Sequence, residues 1–287
     1  MGLGLGTRLG EYKEPTNQVP AFRMIKGSVT LNGSNDAYYD TQAKPTMDHE
    51  LGMSIAGCFK IDNVSTGDVL VAFDSGLSGG EKTGIGFFVG NSHLKFGAMF
   101  DDIGASYYWD DAGACEGKAS TSTISADTWY HLVGTAIFKD AAWTTKFYIN
   151  GVAQTGAFSW NNHVECGSLS GYGIIGGDRV DISERRFAGS FNNIAIWRGV
   201  IGEKLVSSLY NNGKPRSPLA IMRGPGPVAS LTTNIGLQRC WRFENKDDDI
   251  NRQLQTGVPP SWQKSSADFD FATTYKGDSS TDYMGKL

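Results

Sequence analysis

Short apolar runs separated by Gly, Asn and Asp recur along the central part of the chain. In several runs apolar and polar side chains alternate with a period of two, the pattern of a β-strand with one packed face. The pattern predicts strands at residues 25–31, 53–61, 69–73, 84–89, 94–100, 129–138, 146–149, 173–175 and 187–197. We therefore expect an all-β protein with many short strands and tight turns.

The run 129–138 shows the alternation most clearly. Leu132 and Ala136 fall on one face, and Trp129, His131 and Val133 fall on the other. We expect one face to pack and the other to tolerate water, with Trp129 in the core. No Ser, Cys or Asp pattern near His131 would complete a catalytic triad, so we interpret this histidine as structural.

Two local signals mark the ends of elements. Asn150-Gly151 follows the run 146–149 and predicts a type I′ hairpin turn, because both residue types tolerate positive φ. Residues 203–210 carry Leu205 and Leu209 four positions apart and predict the one helix, with Gly213 available as its C-terminal cap. Such a short helix in a β-rich chain is expected to seal a sandwich rather than to form a layer.

The amino-acid composition changes near both ends of the chain, and these changes predict three parts. Residues 1–20 combine Gly-Leu repeats, charges and two prolines, which indicates an extended arm. Residues 21–216 hold the predicted strands and helix and are expected to form the folded domain. Residues 217–287 begin rich in Pro and Gly and are expected to add one strand near 240–243, followed by a polar tail.

Composition and charge argue against several classes of function for this protein. A net charge of -4 and an isoelectric point near 5.6, without a clustered basic face, argue against nucleic-acid binding. The sequence shows no apolar stretch of membrane-spanning length and no secretory pattern at its start, so neither membrane insertion nor export is expected. The four cysteines are scattered without metal-binding spacing, and we expect buried or free thiols, with pairing of Cys115 and Cys166 in an oxidising compartment as the alternative.

The order of five motifs resembles that of the laminin-G-like family of concanavalin A-like sandwiches. The motifs are Val29–Tyr39 with its Asn-Gly turn, Met53–Phe59, Asp127–Thr135 with Trp-Tyr-His-Leu-Val, the hairpin Phe147–Val152, and Phe187–Trp197 followed by the helix. This resemblance implies an antiparallel β-sandwich jelly roll with one short helix and extended terminal segments. It says less about activity, because one sandwich hosts lectins, adhesins, protein-binding modules and glycanases.

Catalysis is not expected. Glycan cleavage needs two carboxylates placed across a cleft, and the Glu-x-Asp-x-x-Glu strand of the family's glucanases is absent here. The acidic runs 101–102, 110–111 and 247–249 place their carboxylates side by side in turn-like sequence, where neighbouring side chains diverge. The stretch 171–176 matches Gly-x-Gly-x-x-Gly, but no helix follows it, so it predicts strand and turn glycines.

Two sets of residues are candidates for binding. Aromatic side chains in loop sequence, next to amides and carboxylates, are typical of a sugar platform or a protein contact; the candidates are Tyr107, Tyr108, Trp109, Trp160 and Asn161. Calcium suits loop oxygen ligands, and relatives in the family hold one, so the metal candidates are Asn35, Asp36, Asp74 and Asp178. Turn-forming Asn and Asp give the same sequence without an ion, and we expect no essential cofactor.

These features together predict a non-enzymatic structural or binding protein. The most concrete expectation is a virion surface component, a capsid decoration or fibre-associated adhesin of a phage or other virus, because a binding sandwich is combined with an arm and a polar tail. Its expected partners are other virion or assembly proteins contacted through the terminal segments, a surface glycan, and further copies in an oligomer. The alternatives are a carbohydrate-binding lectin that acts alone and a glycan-cleaving enzyme.

Overall fold

The structure is a computed structural model that describes part of the chain. The described residues are 28–33, 37–40, 51–64, 68–74, 82–101, 114–140, 142–157, 173–176, 187–216, 218, 221, 236–241 and 262–265.

Fifteen strands and one helix have defined bounds within these residues, and Pro218 and Ile221 are also helical. The strands are β1 Val29–Asn32, β2 Ala37–Asp40, β3 Met53–Ile61, β4 Asp68–Asp74, β5 Lys82–Gly90, β6 His93–Asp101, β7 Ala114–Ala119, β8 Thr128–Lys139, β9 Ala142–Ile149, β10 Val152–Gln154, β11 Gly156–Ala157, β12 Gly173–Ile175, β13 Ala188–Arg198, β14 Leu237–Trp241 and β15 Trp262–Ser265. The helix, α1, is Glu203–Tyr210.

The strands form two antiparallel sheets. Sheet A has seven strands in the order β1-β13-β3-β8-β9-β10, with β14 also paired to β13. Sheet B has eight strands in the order β11-β7-β6-β5-β4-β12-β2-β15. The all-β sandwich predicted from the sequence is therefore confirmed.

Aromatic side chains join the two sheets in the core. Phe59 of sheet A meets Phe87 of sheet B edge to face, with ring centroids 6.2 Å apart. Phe147 of sheet A stacks on Phe96 of sheet B at 6.1 Å. All four side chains are fully buried, and aromatic pairs at these distances add to the free energy of area burial.

The outer face of sheet A carries a second apolar cluster. Val133, Ala195 and Trp197 from the sheet pack with Leu205 and Leu209 of α1. Residues 131–136 are consequently buried on both faces, and the expectation that one face of this strand is wet is wrong. The amphipathic helix lies on that face and keeps water from it.

The predicted strands match the structure closely where apolar runs are long. The ranges 53–61 and 173–175 and the helix 203–210 are reproduced to the residue. The helix ends differently, because Asn211 at φ 48° is the left-handed cap residue instead of Gly213. Phe191 is fully buried as expected, whereas Trp129 is only half-buried.

The segment after residue 216 adds to both sheets. Strand β14 pairs with β13 in sheet A, and β15 pairs with β2 in sheet B. The sequence predicted one added strand, and β15 is the second. Cys58 and Cys240 are buried, and burial raises the pKa of the Cys58 thiol well above its usual range.

Among the described residues no helix is long and apolar enough to span a membrane.

Candidate binding groove

A groove lies at the corner where the chain passes from sheet A to sheet B. Strand β10 pairs with β9 in sheet A, and two residues later β11 pairs with β7 in sheet B. One side of the groove is the loop that follows β7, and the other side is the β9–β10 hairpin.

The first wall, residues 120–125, is held at both ends by hydrogen bonds. The backbone N–H of Ser120 donates to the carbonyl oxygen of Leu94, and that of Ile124 donates to Ser92, both at 2.8 Å. The N–H of Ser125 donates to the phenol oxygen of Tyr130 at 2.8 Å. This loop is therefore fixed although it lacks regular secondary structure.

The second wall is the hairpin predicted from the Asn-Gly pair. Asn150 and Gly151 have φ of 51° and 78°, the positive values that a type I′ turn requires. The side-chain oxygen Oδ1 of Asn150 accepts a hydrogen bond from the backbone N–H of His131 at 2.8 Å. The N–H of Asn150 donates to the carbonyl oxygen of His131 at 2.8 Å, so this asparagine is bound on two sides.

Gln154 and Thr121 connect the two walls directly. The N–H of Thr121 donates to Oε1 of Gln154 at 2.9 Å, and Nε2 of Gln154 donates to the carbonyl oxygen of Val152 at 2.9 Å. The N–H of Thr155 donates to Oγ1 of Thr121 at 3.3 Å. These bonds set the separation of the walls before any ligand arrives.

The groove has a volume of about 500 Å³, within the roughly 300–1,000 Å³ that is typical of small-molecule sites. Its lining combines hydroxyl and amide groups with apolar side chains and the ring of one tyrosine. The lining residues are Ser120, Thr121, Ser122, Thr123, Ile124, Tyr130, Ile149, Asn150, Val152, Ala153 and Gln154. None of them is Asp, Glu, Lys, Arg or His.

Several polar groups of the lining are left over for a ligand. Within the described residues, no hydrogen bond engages the side-chain hydroxyls of Ser122 and Thr123 or the amide nitrogen Nδ2 of Asn150. A hydroxyl both donates and accepts, and Nδ2 donates. Val152 is 50% exposed beside them. This edge of the groove thus offers hydrogen bonds and apolar contact to the same ligand.

Behind the hairpin lies a buried histidine. The ring of His131 faces that of Tyr210 on α1, with centroids 5.9 Å apart and planes 30° from parallel. Its Nδ1 has no hydrogen-bond partner within the described residues. Burial lowers the pKa of His131 to about 3, which keeps the imidazole neutral and agrees with a structural role.

Most of the residues predicted to bind a ligand or a metal lie outside the described part of the chain, so their roles stay predictions. Tyr107, Tyr108, Trp109, Trp160 and Asn161 lie outside the described residues, as do the metal candidates Asn35, Asp36 and Asp178. Asp74 is described as the last residue of β4, paired with Gly84. No cluster of three His, Cys, Asp or Glu side chains suited to a metal occurs in the described part of the chain.

The sequence did not indicate the groove because its two walls look unrelated. One wall is the polar run Ser120–Ser125, a pattern that is typical of an ordinary loop. The other wall was recognised only as a hairpin. The usable signal was the concentration of Ser and Thr just before the strand that pairs with this hairpin.

Comparisons with known proteins agree with the architecture. The model of the Concanavalin A-like lectin/glucanases superfamily matches residues 32–207, which is more than half of the chain. A search of curated proteins finds no match.

Similar solved structures include a heptameric SAP-like pentraxin from Limulus polyphemus, at 14% identity and a TM-score of 0.43, covering 64% of this chain and 82% of the pentraxin. A candidate carbohydrate binding protein from Bacteroides ovatus has 15% identity and a TM-score of 0.46, covering 85% of this chain and 58% of that one. The sialidase module CBM40 of Ruminococcus gnavus, bound to α2,3 sialyllactose, has 12% identity and a TM-score of 0.41, covering 63% and 95%.

Proposed function

The chain belongs to the concanavalin A-like lectin/glucanases superfamily, and from this membership we propose that it binds a glycan at the corner groove and does not cleave it. The superfamily includes both binding modules and enzymes, so the residues of the site must decide between them.

The composition of the groove lining carries the proposal. Glycoside hydrolysis uses a carboxylic acid and a second carboxylate on opposite sides of the scissile bond. No described lining residue supplies a carboxylate, a thiol or an imidazole, so the hydroxyls of Ser122 and Thr123 have no base among these residues to activate them. The hydroxyl of Ser120 lies 3.0 Å from Nδ1 of the neighbouring His93, but it donates its proton to the carbonyl oxygen of Ser122 at 2.7 Å. What remains are hydrogen-bonding groups and apolar surface, which hold a ligand without reacting with it.

The rigidity of the walls also supports binding. Both ends of the Ser120–Ser125 wall are bonded to neighbouring strands, and Gln154 joins that wall to the hairpin. A site that is ordered before the ligand arrives loses less conformational entropy on binding. A ligand that makes few contacts, such as a single sugar, therefore binds more tightly to this site than to one that must become ordered on binding.

A glycan array probed with the full chain tests the proposal, together with a hydrolysis assay on every glycan that binds. We expect binding to at least one glycan and no release of reducing ends. Binding to no glycan would overturn the proposed ligand, and hydrolysis of a bound glycan would replace the binding function with the enzymatic alternative.

We further propose that the protein is a virion surface component that contacts assembly partners and further copies of itself through its terminal segments. The support is the sequence of residues 1–20 and of the polar residues that follow β15, which lack the apolar periodicity of independently folding segments. Deleting residues 1–20 is expected to abolish incorporation into particles while the melting temperature stays unchanged. Normal incorporation of the deletion variant would contradict this role.

A further inference from the structure

From the lack of charged side chains among the described residues that line the groove, we infer that its ligand is an uncharged sugar, a single ring or the end of a glycan chain, and not an acidic sugar. This inference rests on the proposed glycan-binding function and names the ligand class of the same groove.

The first argument is electrostatic. The lining residues that the structure describes include no Lys or Arg, the side chains that pair with carboxylate, sulfate or phosphate groups. An ionised sugar gains no ion pair from such a lining, whereas an uncharged sugar does not need one. Asp127, just beyond the first wall, is itself paired with Lys60 at 3.3 Å. An acidic sugar thus meets no counter-charge from the lining.

The second argument is the match of hydrogen-bonding groups. Neutral sugars present hydroxyls that donate and accept, and Ser122 and Thr123 carry hydroxyls with the same two capacities. The amide nitrogen of Asn150 supplies a donor whose direction is fixed, because the oxygen of that amide is held by the N–H of His131. Three polar groups on two facing walls are therefore available to orient one ring.

The third argument is apolar contact. Sugar rings present C–H faces, and Ile124 and Ile149 of the lining contribute apolar surface, with the exposed Val152 at the rim. A volume of about 500 Å³ lies in the lower half of the roughly 300–1,000 Å³ range of small-ligand sites. The groove therefore holds a small part of a glycan and not an extended chain.

The test measures binding of the full chain to two matched panels of glycans. One panel holds neutral oligosaccharides of glucose, galactose, mannose and their N-acetyl derivatives, and the other holds sialylated, sulfated and uronic-acid forms of the same cores. We expect binding in the neutral panel only, with a dissociation constant that changes less than about twofold between about 0.05 and about 0.5 M NaCl.

Three variants locate the site. Asn150→Asp keeps the oxygen that accepts from His131 but removes the free donor and adds a charge, so we expect affinity to fall about tenfold. Val152→Glu places a charge at the rim and is expected to abolish binding. Val200→Glu is the matched control, because Val200 is also exposed, at 37%, and lies at the opposite end of the β8 region; its affinity should equal that of the parent chain.

The outcomes separate this inference from the proposed function. Binding confined to acidic glycans, or affinity that falls steeply with salt, overturns the uncharged-ligand inference and leaves glycan binding intact. Neutral-glycan binding that survives Val152→Glu in a variant of unchanged melting temperature overturns the groove as its location. Binding to neither panel overturns both the inference and the proposed function.

Discussion

Gly134 of β8 lies directly against the ring of Phe96 of β6, across the interface between the two sheets. A Cβ atom placed on Gly134 would come within 2.1 Å of Cδ2 of Phe96, so only a residue without a side chain fits. The position is extended, and the glycine is required by space and not by backbone conformation.

Gly134→Ala is therefore expected to destabilise the fold by about 1–3 kcal/mol, the usual cost of overpacking a core. Urea unfolding measures the change. Gly202→Ala adds the same methyl group where no atom lies within 4 Å and, as the residue before α1, should cost less than about 1 kcal/mol. Equal losses in the two variants would contradict the close approach of the two sheets at Gly134.

Phe191→Ala should cost about 3–5 kcal/mol, because this side chain is fully buried in the core between the sheets. Trp129→Ala removes a larger ring, but one that is only half-buried, and we expect roughly half of that loss. Denaturant midpoints of the two variants at equal m-values give the comparison. A greater loss from Trp129→Ala would place that ring in the core after all.

Gly151→Val should weaken the hairpin by about 1–3 kcal/mol. Its φ of 78° disfavours a β-branched residue, and a Cβ there would lie 3.0 Å from Cδ1 of Tyr210. Ala153→Val introduces the same branch at an exposed position of the adjoining strand and serves as the control. Thermal melts should separate the two variants clearly; coincident melts would show that the turn tolerates the branch.

Stability should fall as the pH decreases from about 6.5 toward about 3, because of His131. Above this range the imidazole is neutral in the folded and unfolded chain alike. Within this range His131 binds a proton in the unfolded chain but not in the folded chain, because burial lowers its pKa in the folded chain to about 3. Proton uptake therefore favours unfolding.

Urea unfolding at a series of pH values, with His131→Gln as the comparison, isolates this contribution. Both proteins share all other titrating groups. The free energy of unfolding of the parent chain, taken relative to that of His131→Gln, should therefore fall by several kcal/mol on acidification. A difference that is independent of pH would mean that His131 titrates normally in the folded state.

The sequence predicted the strands of the core well because each carries enough apolar residues to show its own periodicity. Residues 53–61, in which nearly every side chain is buried, are an example. The family order of motifs then placed these strands in one sandwich. The same periodicity misjudged the outer face of β8, since burial there comes from α1, some seventy residues further along the chain.

The candidate groove was harder to predict for a related reason. Its walls are joined through Thr121 and Gln154, 33 residues apart, and through the pairing of β8 with β9. Neither wall contains a motif of its own, and Ser and Thr runs of this kind occur in most loops. The aromatic candidates chosen from the sequence, such as Trp109 and Trp160, lie outside the described residues, and their binding role stays a prediction.

The pairing of β1 with β13 also bears on the order of synthesis. Thr30 and Ser190, whose hydroxyls lie 2.9 Å apart, are separated by 160 positions. At the roughly 5–20 residues per second of translation, β1 leaves the ribosome on the order of 10 s before its partner exists. During that interval its edge is open to other chains. A nascent chain of this protein is thus most exposed to aggregation before residue 190 emerges, and slower translation of the middle of the message should lower the yield of folded protein.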